Sequence, residues 1–151
     1  MSKPTPAFVG SSWAALLLGV VTFVVGLWNA GMTASEKGFY AAVLVLGAYA
    51  AVSLQKSVRD RAEGLPVSAL YQGLSWGVVV LALVMLAVGL VNSGMTLSEK
   101  GFYGLSFALT LFAAVAVQKN VRDTLMAKEG PKVLPEAYAT ERYSAGNGIS
   151  A

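Results

Sequence analysis

Cysteine and histidine are both absent from this chain. Without thiols there can be no disulfide and no thiolate chemistry. With imidazole also missing, the commonest soft and borderline metal ligands are gone, which argues against a zinc, haem or iron–sulfur site. Charge is scarce as well: 13% of the 151 residues are Asp, Glu, Lys or Arg, about half the fraction of an average soluble domain. The scarcity is uneven, because Pro4–Ser35, Gly38–Gln55, Gly64–Ser98 and Gly101–Gln118 carry no charge at all. A helix on a water-exposed surface shows charge every turn or two. A water-soluble four-helix bundle, which needs charged outer faces, is therefore a poor match.

What fills those stretches is apolar. The chain is 56% hydrophobic, with a mean hydropathy of +0.62. Although its pI is about 9.3 and its formal charge +3, the basic residues stand at the ends of apolar runs rather than along one stripe. That placement fits membrane flanks and not nucleic acid. Near the N-terminus only Lys3 precedes a run from Phe8 to about Trp28. The run is too long for the apolar core of a cleaved signal peptide, and it is expected to be an uncleaved first transmembrane helix.

An internal repeat organises the rest. A shift of 63 residues aligns Trp13–Asp60 with Trp76–Asp123 without a gap, and 25 of the 48 positions are identical. Gly31-Met32-Thr33 recurs as Gly94-Met95-Thr96, Ser35-Glu36-Lys37-Gly38-Phe39-Tyr40 as Ser98-Glu99-Lys100-Gly101-Phe102-Tyr103, and Gln55-Lys56 with Val58-Arg59-Asp60 as Gln118-Lys119 with Val121-Arg122-Asp123. Each copy holds two apolar segments around a short polar turn, and each segment suits a hydrocarbon core of about 30 Å. The expected fold is all-α: a polytopic membrane protein with four transmembrane helices in two tandem hairpins of the same orientation. Residues 1–7 form an N-terminal segment, 8–63 the first repeat (spans about 8–28 and 38–54) and 64–70 a linker. Residues 71–129 form the second repeat (spans about 71–91 and 101–117) and 130–151 a flexible tail. The second and fourth spans are short, but Gln55–Arg59 can prolong the helix, with Lys56 and Arg59 snorkelling to the interface.

Turn residues carry a local logic. Asn29 and Gly31 can end a helix in the left-handed conformation. Thr33-Ala34-Ser35-Glu36 and Thr96-Leu97-Ser98-Glu99 then have the spacing of a capping box. Such caps account for the repeated polar residues without a ligand. Glu63-Gly64-Leu65-Pro66 and Glu129-Gly130-Pro131 carry the Gly-then-Pro order that stops a helix. Nine basic residues (Lys3, Lys56, Arg59, Arg61, Lys119, Arg122, Lys128, Lys132, Arg142) fall on one side of the spans against Lys37 and Lys100 on the other. This predicts both termini in the cytoplasm.

No ionisable residue is expected at membrane depth, where such groups mark pumps and ion-coupled transporters. Thr22, Ser106 and Thr110, with Ser53 and Ser75 nearer the ends, can bond their own helix backbones. Small residues form stripes: Gly19, Thr22, Gly26 and Asn29 on the first helix, matched by Ala82, Met85, Gly89 and Asn92 on the third. Val43, Gly47 and Ala50 on the second helix match Ser106, Thr110 and Ala113 on the fourth. Close packing is the expected use of these faces, with a permeation path the alternative. Trp13, Trp28, Trp76, Tyr40, Tyr71 and Tyr103 are expected as interfacial anchors.

The duplicated Gly-Met-Thr-x-Ser-Glu-Lys-Gly-Phe-Tyr, set between apolar helices, with the closing Gln-Lys-x-Val-Arg-Asp, resembles the YiaA/YiaB family of bacterial inner-membrane proteins. The family's defining unit is a two-helix domain, and the two-copy arrangement looks like the YiaA type. The resemblance covers residues 13–60 and 76–123. It implies location in a bacterial inner membrane and no established enzymatic activity, and it brings no catalytic residues with it.

The functional expectation is a non-enzymatic membrane protein partnered by the lipid bilayer and acting by association with itself as a homo-oligomer or with other membrane proteins. No catalytic, cofactor-binding or metal-binding residue, no cofactor and no nucleic-acid partner are expected. The alternative is a small oligomeric transporter or channel for a neutral or lipophilic solute. An enzyme stands third: it would rest on Glu36 and Glu99 or on Asp60 and Asp123, with no His, Cys or metal cluster to complete a site.

Overall fold

A computed structural model describes residues 4–129; the expected tail at 130–151 lies outside them. Four helices follow one another: α1 (Pro6–Asn29), α2 (Ala34–Ala62), α3 (Ala69–Asn92) and α4 (Leu97–Glu129). All four are long and apolar enough to cross a membrane. The chain is thus an all-α protein of four membrane-spanning helices. α1 and α3 have 24 residues each, about 36 Å at 1.5 Å per residue. α2 and α4 run on through Gln55–Asp60 and Gln118–Asp123 to 29 and 33 residues. Their far ends therefore project beyond the hydrocarbon, where Lys and Arg can stand in water.

The helices begin and end for identifiable reasons. Thr5 and Ser68 cap α1 and α3 by accepting from the amides of Phe8 and Tyr71. α2 ends at a Schellman turn: Gly64 takes φ +75°, its amide donates to Arg61 O at 3.1 Å, and that of Leu65 donates to Asp60 O at 2.9 Å. The turn between α1 and α2 departs from the sequence expectation. No residue there has positive φ; Ala30 is extended at φ −70°, ψ 142°. Side chains close the turn instead, as described below.

Packing crosses the repeat boundary. The two helices of one repeat are joined by a short turn but hardly touch; α1 lies along α4, α2 lies along α3, and α2 and α4 meet in the middle. The two repeats are interleaved about an approximate two-fold axis along the bundle. The small-residue stripes make this possible. A Cβ on Gly19 would stand 2.6 Å from Thr110 Oγ1 and 2.9 Å from the Thr110 amide nitrogen. At the central α2–α4 contact, Gly47 meets Phe107 closely enough that a Cβ would stand 2.5 Å from its ring, while Ala82, the counterpart of Gly19 on α3, is fully buried. The core comprises Phe23, Leu27, Tyr40, Val43, Leu44, Ala82, Leu86, Tyr103 and Phe107. Thr110 and Ser106 are buried and donate to carbonyls of their own helix, at 2.8 Å to Ser106 O and Phe102 O.

Candidate functional site

Two regions gather polar side chains: the turn end, holding residues 30–33 and 93–96, and the opposite, basic end, where α2 and α4 project. At the turn end each duplicated motif builds the same device. Thr33 Oγ1 accepts from the Glu36 amide at 3.3 Å, and Glu36 Oε2 accepts from the Thr33 amide and hydroxyl at 2.8 Å each. Thr96 and Glu99 repeat the arrangement at 3.3, 2.7 and 2.9 Å. The reciprocal bonds satisfy amides that a helix start otherwise leaves without partners. The bonds from the Thr backbone, then those from the Thr hydroxyl, hold both carboxyls below the ordinary glutamate range. Lys37 and Lys100 reach back to the last carbonyls of the preceding helices, Trp28 O at 3.1 Å and Val91 O at 3.4 Å. Asn29 and Asn92 donate to Val25 O and Val88 O. Cations and amides at a helix C-terminus complement its dipole.

Beneath these turns the aromatic residues converge. Tyr40 and Tyr103 are each 3% exposed, and their rings stack with centroids 6.0 Å apart and planes at 19°. Phe39 and Phe102 pack edge-on to them, and Phe23 meets Tyr103 edge-on at 5.3 Å. These tyrosines are core residues at the two-fold axis, which corrects their expected role as interfacial anchors. Trp13, Trp28, Trp76 and Tyr71 do face outward. The rings leave two clefts related by the same symmetry. One, of about 570 Å³, lies among Met32, Glu36, Tyr40 and Asn92; its smaller counterpart, of about 340 Å³, lies among Met95, Glu99, Tyr103 and Asn29.

At the basic end, Arg59 and Arg122 stand on the two central helices. Glu63 pairs with Arg122 and lies 3.8 Å from Arg59 Nε. Asp60 accepts from Arg59 Nη2 at 2.9 Å, and Asp123 accepts from Lys119 at 2.9 Å. Polar bonds also tie helices of different repeats together: Asn120 Nδ2 donates to Ser12 Oγ at 3.0 Å, and Ser53 bonds the Tyr71 hydroxyl at 2.8 Å. Sequence reasoning did not single out Asn120, although its place opposite Ser57 in the repeat marked a departure between the two copies.

Among the described residues no three His, Cys, Asp or Glu side chains cluster to hold a metal ion. The four carboxylates of the enzyme reading are occupied: Glu36 and Glu99 by the caps, Asp60 and Asp123 by ion pairs.

The yiaA/B two-helix domain matches the chain twice, over residues 8–60 and 71–123. The chain is 54% identical to the inner membrane protein YiaA of Escherichia coli (strain K12) over 123 residues, 82% of this chain and 85% of the relative. It is also 42% identical to the uncharacterized membrane protein YubF of Bacillus subtilis (strain 168) over 62 residues, 40% of this chain and 71% of the relative. No solved structure matches. With four membrane-spanning helices and two copies of that domain, the chain belongs to the yiaA/B two-helix domain family.

Proposed function

We propose that this protein is a non-enzymatic component of a bacterial inner membrane that acts by associating with a second copy of itself or with other membrane proteins, with both termini cytoplasmic. The inner-membrane setting rests on likeness to the Escherichia coli relative, and the orientation rests on the nine-to-two division of Lys and Arg. One observation carries the association reading. The small residues facing inward are filled by neighbouring helices, whereas small residues also remain open on the outer helices: a Cβ on Gly73, Gly77 or Gly10 would meet nothing within 4 Å. Gly73 and Gly77 stand four apart on α3, and Gly10 and Ala14 stand at the related positions on α1, all exposed. In lipid, close approach of backbones at such positions drives helix pairing.

Transport within one chain has less support, because the inward faces close on each other and no charged side chain stands in mid-span. A path between chains is the form in which that alternative survives. The test is native mass spectrometry with crosslinking in mild detergent. The expected result is a dimer or higher species that Gly77→Leu converts to monomer. A strict monomer without co-purifying partners overturns the reading.

A further inference from the structure

At the basic end, a groove of about 460 Å³ runs along the outside of the bundle where α2 meets α3. Its lining is largely apolar, with Leu54, Val79, Val115 and Trp76 among it, and includes the polar side chains of Gln55 and Arg59. Arg59 lies five residues beyond Leu54, about 7.5 Å along the helix, which sets its guanidinium in the headgroup layer when Leu54 lies at the hydrocarbon edge. Arg59 Nη2 is bonded to Asp60, but Nε and Nη1 are buried without a hydrogen-bond partner among the described residues, as is Gln55 Oε1. Nε is 3.8 Å from Glu63, too far for a hydrogen bond. Glu63 is itself shared with Arg122. Locally, Lys56, Arg59, Arg61, Lys119 and Arg122 outnumber Asp60, Glu63 and Asp123. The repeat reproduces part of this: Gln118, Val121 and Arg122 line a groove of about 470 Å³ formed by α4 alone, with Gln118 Oε1 likewise unpartnered, but Arg122 is paired with Glu63.

We infer that the groove between α2 and α3 is a binding site for an anionic phospholipid, its phosphate held by Arg59 beside Gln55 and one acyl chain lying along Leu54, Val79 and Trp76. A guanidinium with two nitrogens lacking hydrogen-bond partners, beside an apolar trough, presents the two surfaces a phospholipid carries, in the order a leaflet imposes. Planar guanidinium donors match phosphate oxygens pairwise, and Nε and Nη1 are the Arg59 nitrogens left without a partner among the described residues. The site requires only that the chain span a membrane, and it stands or falls separately from self-association.

Trp76 supplies the probe. Full-length protein carrying Trp13→Phe and Trp28→Phe is reconstituted in phosphatidylcholine vesicles containing brominated phosphatidylglycerol or brominated phosphatidylcholine at equal mole fraction, and quenching of Trp76 is compared. Phosphatidylglycerol is expected to occupy the groove about fivefold in preference. Arg59→Gln brings the ratio close to one, and Arg59→Lys keeps part of it. Equal quenching by the two lipids in the Arg59 protein overturns the inference without reference to any variant. Loss of the preference on adding inorganic phosphate assigns the cation to a free ion and overturns it too.

Discussion

At Gly19 the backbone of α1 lies against α4 so closely that a Cβ would press on both the side chain and the amide of Thr110. Gly19→Leu is expected to destabilise the bundle by about 1–3 kcal/mol, as overpacking does, measured by thermal unfolding in detergent. The same change at Gly77 leaves unfolding of the monomer within about 0.5 kcal/mol, because nothing in its own chain stands near it. The other repeat suggests a repair: Ala82 and Gly47 occupy the positions of Gly19 and Thr110, so Gly19→Ala combined with Thr110→Gly should fold better than Gly19→Ala alone. Glu36 and Glu99 add a pH dependence. Their carboxyls are held below the ordinary range in the folded chain, so the unfolded state binds the proton more readily. The contribution is complete above the ordinary glutamate pKa of about 4.3 and is lost as the pH falls through it toward the lowered folded values. Thermal midpoints should stay level from neutral pH to about pH 5 and fall below that, with the fall reduced in Glu36→Gln/Glu99→Gln. The capping boxes could be read from Thr-x-x-Glu because a cap is a contact within four residues. The extended backbone at Ala30 could not, because Lys37 closes that turn onto Trp28 O from nine residues away.

Helix identities and ends followed from charge-free runs and from punctuation such as Gly64. Replacing Gly64 by Ala forces a side chain into φ +75° and should cost about 1–2 kcal/mol, read from the same unfolding curve. What the pattern along each helix cannot supply is the partner its buried face meets. Gly19 and Phe23 mark a face on α1, yet nothing local says that the face seeks α4 rather than α2. Tyr40 and Tyr103 illustrate the result: the aromatic-belt rule places them in the interface, whereas interleaving brings them together at the axis. If pairing runs across repeats, cutting the chain in the linker should not separate it. Residues 1–65 and 66–151, expressed together with a tag on one half, are expected to co-purify as a pair. Recovery of each half as a stable single unit would contradict the packing described.

For the molecule as a whole, the lack of cysteine makes orientation directly measurable. Ser35→Cys and Ser98→Cys should react with a membrane-impermeant maleimide on intact cells, and Ser68→Cys only after permeabilisation; the reverse pattern would place the termini outside. The polytopic architecture was legible because lipid imposes length and polarity on every span. The groove at Arg59 was not, since it depends on α3 lying beside α2. The interleaved arrangement also bears on what tandem duplication makes available. A protein with one such repeat would have to meet its twin by diffusion in the bilayer, and every contact would be made twice by the same amino acid. Joining the copies turns that encounter into an intramolecular event, independent of abundance, and frees matched positions to differ. Glu63 opposite Met126, Ser57 opposite Asn120, and Gly19 opposite Ala82 are places where this chain has used that freedom.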